Sequence, residues 1–79
     1  MQQVYVRLRN VEQVRSFITI LDKFDGNFDL GSGKRVVDAK SFIGVFTLDL
    51  TEPQCLRYDS EDPRILEMIA PYLVESGAA

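Results

Sequence analysis

Few side chains in this chain of 79 residues could carry out chemistry. The chain has no histidine, and imidazole is the only side chain that ordinarily changes charge near neutral pH. Its one cysteine, Cys55, can form no internal disulfide and is most simply a small strand residue. The carboxylates Glu61 and Asp62 precede Pro63, a pattern typical of a helix start. No nucleophile has a base partner that the sequence identifies, so we do not expect an enzyme.

The sequence also predicts no cofactor and no metal site. One cysteine without histidine leaves too few ligands for a zinc site. The segment Gly31-Ser32-Gly33-Lys34 is too short for a phosphate-binding loop and is typical of a tight hairpin turn.

Composition limits the classes of partner. The net charge is −3, which argues against nucleic acid. Residues 1–40 carry seven basic and five acidic side chains (7 − 5 = +2), whereas residues 41–79 carry two and seven (2 − 7 = −5). This asymmetry reflects either solvated faces or a basic region that meets an acidic partner. The sequence also predicts the compartment. No apolar run is long enough for a membrane helix, and there is no signal-peptide pattern. Because Cys55 suits a reducing compartment, we expect a cytoplasmic protein.

The periodicity of apolar residues predicts the elements of the first half. Alternation through Val4, Val6 and Leu8 predicts a strand over 3–8. Spacing of three and four from Val14 to Leu21 predicts an amphipathic helix over 11–23, capped by Asn10 with Gln13 as in a capping box, and Gly26 follows its end. Short strands are expected over 27–30 and 35–39.

The second half predicts two more helices around a strand. Ser41 can cap a short helix over about 42–48. A strand over 54–59 would place Leu56 and Tyr58 in the core and Cys55 on the opposite face. Asp62 as the cap and Pro63 at the first position then start a helix whose stripe is Ile65, Leu66, Ile69 and Leu73. Pro71 should kink this helix or thin its last turn, and Gly77 should end it. The result is one α+β domain over 1–79, in the order β-α-β-β-α-β-α, with helices on one face of an antiparallel sheet.

Residues 40–50, Lys-Ser-Phe-Ile-Gly-Val-Phe-Thr-Leu-Asp-Leu, resemble a segment of HPr, the histidine phosphocarrier of the bacterial sugar phosphotransferase system. Asp22-Lys23-Phe24-Asp25 also resembles the end of the first HPr helix. The resemblance implies an open-faced β-sandwich of four antiparallel strands, in the order 1-4-2-3, with three helices on one side.

Alignment without gaps places the family's active-site motif on residues 8–14. Asn10 then stands where the family has its phosphorylated histidine, Glu12 where it has an arginine, and Gln13 where it has a proline. A carboxamide nitrogen is not a nucleophile, and the Glu12 carboxylate would repel a phosphoryl group. The chain is therefore expected to carry no phosphate on histidine, and Asn10 is explained as a helix cap.

Ser41 stands where the resemblance implies a regulatory phosphorylation site. Related proteins without the histidine, the catabolite-repression HPr, act only through this serine, which an HPr kinase phosphorylates and a transcription regulator recognises. The alternative is that Ser41 only caps its helix.

Phe42, Ile43 and Phe46 correspond to apolar HPr residues that form an exposed docking patch. A short helix that is apolar on nearly every side cannot bury all of its side chains against one sheet. The alternative is that Phe42 and Phe46 complete a small core. The hypothesis is thus a non-catalytic HPr-like regulatory module that binds proteins and no cofactor. Its alternative is a degenerate paralogue with a new partner and no phosphorylation.

Overall fold

Strands and helices alternate along the part of the chain that the computed structural model describes, residues 1–32 and 35–75. The strands are β1 (Gln2–Val6), β2 (Phe28–Ser32), β3 (Arg35–Asp38), β4 (Gln54–Tyr58) and β5 (Leu73–Val74). The helices are α1 (Val11–Leu21), α2 (Phe42–Val45) and α3 (Arg64–Ile69), and a 3₁₀ turn spans Ala70–Tyr72. The predicted α+β class is confirmed; the hairpin residues Gly33 and Lys34, and Gly77, lie outside the described residues.

The strands form one antiparallel sheet in the order β3-β2-β4-β1-β5. The first four strands are therefore neighbours in the order 1-4-2-3 that the resemblance implies. The predicted count of four strands is wrong for the described residues, because β5 pairs with β1 through Tyr5–Val74 and Val6–Leu73. The Arg7 amide also donates to the Tyr72 carbonyl at 2.8 Å, so the end of the chain satisfies backbone groups on the edge of β1.

All three helices cover the same face of this sheet. Alternate strand residues such as Val6, Leu30 and Leu56 point into the core, where they are fully buried. The helices contribute their buried faces to the same cluster: Val14, Phe17, Ile18 and Leu21 from α1, Val45 from α2, and Ile65 and Ile69 from α3. Each such side chain stabilises the fold by about 1.5–3 kcal/mol. The predicted core positions Leu56 and Tyr58 are confirmed.

The helix boundaries differ from the predicted ones by a turn or less, except in the third helix. α1 ends at Leu21 rather than 23, and α2 ends at Val45 rather than 48 because isolated turns replace its last residues. Helix α3 begins at Arg64 with Pro63 in the cap position, so the predicted cap at Asp62 is wrong by one residue. Asp62 still accepts a hydrogen bond from the Arg64 amide at 2.9 Å, and its carboxylate forms an ion pair with the Arg64 guanidinium at 2.6 Å. These bonds from Arg64 lower the pKa of Asp62 to about 2.

The predicted stripe of the third helix is only half correct. Ile65 and Ile69 are buried, whereas Leu66 is 41% exposed and Leu73 lies in β5. Pro71 explains the difference, since it has no amide hydrogen to donate, and the α-helix passes at Ala70 into a 3₁₀ turn and ends there. The chain is then free to extend as a strand.

Candidate protein-binding site

The start of α1 is built by reciprocal side-chain caps. The Asn10 backbone is extended, with φ −159°, and its Oδ1 accepts a hydrogen bond from the Gln13 amide at 2.9 Å. The Gln13 Oε1 accepts in turn from the Arg9 amide at 2.8 Å, one residue before the position that a capping box uses. The predicted cap at Asn10 is confirmed, and its carboxamide is fully accounted for by this role.

Glu12 lies on the exposed side of the first turn of α1. A carboxylate there complements the positive end of the helix dipole. It adds negative charge where a bound phosphoryl group would need positive groups, and with Asn10 it leaves this turn without a nucleophile.

Helix α2 begins one residue after Ser41, whose hydroxyl acts as its cap. The Ser41 Oγ accepts from the Gly44 amide at 3.1 Å, and Ser41 is half-buried. A β-carbon at Gly44 would lie 3.1 Å from that oxygen, so the glycine lets the two residues approach closely. The two residues before Ser41 do not compete for this cap. Ala39 is buried, and the Lys40 ammonium donates to the Phe24 carbonyl at 2.7 Å.

The apolar side chains of α2 divide between core and surface. Val45 is fully buried, while Phe42, Ile43 and Phe46 are 39%, 80% and 40% exposed. The two phenylalanine rings contact each other edge to face, with centroids 4.8 Å apart. The prediction that part of this helix stays exposed is confirmed, and the alternative that Phe42 and Phe46 complete the core is wrong.

The exposed residues of α2 lie beside the first turn of α1. We name the set Val11, Phe42, Ile43 and Phe46 the aromatic patch. Val11 is itself exposed, and it lines a depression of about 430 Å³ together with Phe46. Leu8 and Leu50 give this depression further apolar walls, and Asn10 and Thr51 stand at its polar side.

Three arginines surround the aromatic patch. Arg7 and Arg9 line the depression, and the Arg15 guanidinium lies 5.8 Å from the centroid of the Phe42 ring. Arg7 also donates to the Thr51 carbonyl at 3.0 Å, which fixes the segment after α2 against the end of β1. With Glu12 as the acid of the α1 turn, the surroundings of the patch carry a net positive charge.

Asp49, which directly precedes the lining residues Leu50 and Thr51 of the depression, is held by local hydrogen bonds. Asp49 accepts from the Thr51 hydroxyl at 2.5 Å and from the Thr51 amide at 3.1 Å. These two bonds stabilise the ionised form and lower the pKa of Asp49 below its ordinary value of 3.8. The turn that follows α2 is therefore ordered by an anion at neutral pH.

The structure brings Asn10 and Phe46 together in the lining of the depression, and Phe42 contacts Phe46. Glu12 and Ile43 are exposed but do not line the depression, and Ser41 faces its own helix. Sequence reasoning missed Val11 and Arg15. Both could have been found from the helical period, because they are four residues apart and lie on one side of α1, at the edge of the buried stripe that contains Val14 and Ile18.

The described residues offer no metal site. Among residues 1–32 and 35–75, no three Cys, Asp or Glu side chains lie close enough to hold a metal ion. The helices of the same residues include none that is both long and apolar enough to cross a lipid bilayer.

No protein-family model matches this chain, and no curated protein matches it significantly. The likeness to the HPr family therefore rests on the motifs of the sequence.

Proposed function

We propose that this chain is an HPr-like module that binds proteins through the aromatic patch and carries no phosphoryl group on a histidine. The order of the first four strands supports the HPr-like assignment, because it equals the order that the motifs imply.

The observation that carries the proposal is the exposure of two contacting phenylalanines. Phe42 and Phe46 leave about two fifths of their surface in water while Val45, in the same short helix, is fully buried. Aromatic side chains beside an apolar depression are typical of the centre of a protein interface. The surrounding arginines favour an acidic partner surface.

A titration with purified partners of HPr proteins tests the docking surface. We expect an HPr kinase, or the transcription regulator of that system, to shift the backbone amide resonances of Val11, Phe42, Ile43 and Phe46. Changing Phe46→Ser should weaken the binding at least about tenfold, as for an interface hot spot. Shifts that cluster elsewhere, or none with either protein, would contradict the proposal.

Leu66→Ser is the matched control for this experiment. Leu66 is exposed to the same degree as Phe46, 41% against 40%, but it lies on α3. Its substitution should leave the binding unchanged. An equal loss in both variants would mean that the affinity reflects general surface hydrophobicity.

We also propose Ser41 as the regulatory phosphorylation site, because it directly precedes Phe42. A phosphate there would add nearly two negative charges next to the aromatic patch and would displace the cap bond to Gly44. Both changes would alter what the patch can bind.

Mass spectrometry tests this site directly. Incubation with ATP and an HPr kinase should add about 80 Da, the mass of one phosphoryl group. Ser41→Asn should abolish this gain in mass while keeping a side-chain cap. Ser16→Ala, on the exposed side of α1, is the control and should leave the gain in mass unchanged.

The alternative is the same fold with a new partner and no phosphorylation. The observation that favours it is the cap itself, since the bond from Gly44 to the Ser41 Oγ accounts for the serine without a kinase. An unmodified chain with active kinase would select this alternative. Under both proposals, incubation with radiolabelled phosphoenolpyruvate and Enzyme I should leave the chain unlabelled. An acid-labile radiolabel on the chain would contradict both proposals.

A further inference from the structure

A cavity of about 300 Å³ opens on the face of the sheet that the helices leave uncovered. Its floor lies in the middle of the sheet, where Cys55 of β4 pairs with Tyr5 of β1 on one side and with Gly31 of β2 on the other. Val36 and the Glu52-Pro53 segment stand around this floor. The volume lies at the lower end of the range for small-molecule sites, and a floor of paired strands is formed before any ligand arrives.

The glycine in the floor keeps the cavity open. Strand alternation directs a β-carbon at Gly31 toward the uncovered face. That carbon would lie 3.0 Å from Val36 and would collide with the Arg35 carbonyl oxygen. The close approach of β3 thus requires glycine here, and the missing side chain leaves space above Cys55.

Charges of both signs line this cavity. Arg57 of β4 stands directly opposite Asp29 of β2, and Glu52 is in the wall. Although Asp29 and Arg57 are register partners, the two side chains make no ion pair in the structure of residues 1–32 and 35–75, where the ion pair present joins Arg64 and Asp62. Among the described residues, the Arg57 guanidinium and the carboxylates of Asp29 and Glu52, a net charge of −1, thus line the cavity without pairing with one another.

We propose that this cavity binds a small amino carboxylate with a second amine, of the L-lysine class. Arg57 would donate two hydrogen bonds to the ligand carboxylate, the geometry that suits a guanidinium. Asp29 and Glu52 would each accept from one ammonium group. The ligand's net charge of +1 matches the −1 of the cavity, and Tyr5, Val36 and Pro53 provide the surface for its methylene chain.

Three probes separate the features that this proposal requires. L-lysine should produce saturable shifts in the amide resonances of the cavity residues, with a millimolar Kd because the charges are exposed. L-norleucine lacks the second amine, and cadaverine lacks the carboxylate. Each should bind at least about fivefold more weakly than L-lysine. Equal binding of L-norleucine would overturn the role of the second amine.

Charge-removing variants locate the site. Arg57→Gln should weaken L-lysine at least about fivefold without weakening cadaverine, which has no carboxylate, and Glu52→Gln should weaken both. Glu67→Gln removes the same charge from the exposed side of α3 and is the matched control. An equal loss in Glu67→Gln would mean that the amine is attracted only by the net charge of the chain.

Cys55 provides a second measurement at the same place. Its half-buried thiol lines the cavity, so saturating L-lysine should slow its alkylation by iodoacetamide. Unchanged alkylation together with no shift at Asp29, Gly31 or Arg57 would rule the site out. All the substituted side chains are exposed, and the amide spectrum of each variant verifies that it is folded.

Discussion

The two exposed regions of this molecule differ in polarity: one is mainly apolar and the other is mainly charged. At the mouth of α1, four apolar side chains reach solvent and arginines surround them. On the uncovered face of the sheet, Asp29, Glu52 and Arg57 surround a polar cavity. Charged side chains around the cavity are what an antiparallel sheet with one solvated face normally shows. The exposed apolar side chains of the aromatic patch are not required by the fold, which is why we propose that they bind a partner.

The largest expected difference separates two phenylalanines. Phe17 is fully buried on α1 and contacts Tyr72 edge to face at 5.6 Å, while Phe42 is exposed on α2. Phe17→Ala should lower the free energy of unfolding by about 3–5 kcal/mol, as for a large core cavity. Phe42→Ala should lower it by clearly less, about 1–2 kcal/mol, because two fifths of this side chain is already in water.

Urea denaturation followed by circular dichroism measures both values. If Phe42→Ala destabilised the chain as strongly as Phe17→Ala, the aromatic patch would be part of the core. The comparison between the two exposed regions would then fail, and the docking proposal would lose its basis.

The second contrast concerns the two side-chain caps. Asn10 and Ser41 each accept one backbone hydrogen bond, at 2.9 and 3.1 Å. Asn10→Ala and Ser41→Ala should each lower the free energy of unfolding by about 1 kcal/mol, whereas Asn10→Asp should restore most of it. Thermal unfolding of the four proteins gives the comparison.

A result outside this pattern would be informative. A loss at Asn10 well above that of an ordinary cap would indicate contacts at the mouth of α1 beyond the bond to Gln13. A negligible loss at Ser41 would instead leave regulation, rather than capping, as the reason for this serine.

Local patterns predicted the elements better than they predicted the sheet edge and the surface. The stripe of α1 and the alternation in β4 fix the core, because a helix or strand with one apolar side has one way to bury it. Strand β5 could not be predicted in this way. Leu73 continues the helical spacing of Ile65 and Ile69, and it lies in a strand because, after Pro71 has ended the helix, it pairs with Val6 of β1.

The candidate site shows the same limit. The sequence predicted that α2 has more apolar side chains than one sheet can cover, but it left open which of them are exposed. Val45 is buried and Ile43 is not, because the helix has only four residues and turns one side to the sheet. The cavity on the open face gave no signal in sequence, since its residues come from four separate segments.

The smallest expected effect is a change in the titration of Asp49, which directly precedes the lining residues of the depression beside the aromatic patch. Asp49 has a lowered pKa because Thr51 donates two hydrogen bonds to its carboxylate. A lowered pKa in the folded state means that the carboxylate stabilises the fold above the pKa of the unfolded chain. That contribution is lost as the pH falls through the folded value, below about pH 4.

Thr51→Val removes the hydroxyl donor, which is the larger of the two causes, and keeps the shape of the side chain. The pKa of Asp49, followed by the carboxyl carbon resonance, should therefore rise toward its ordinary value. The Arg7 bond to the carbonyl of residue 51 does not involve the hydroxyl and should persist, so that binding at the patch is unchanged. If the substitution also weakened partner binding, the turn after α2 would belong to the docking surface, and that surface would extend beyond the four residues of the patch.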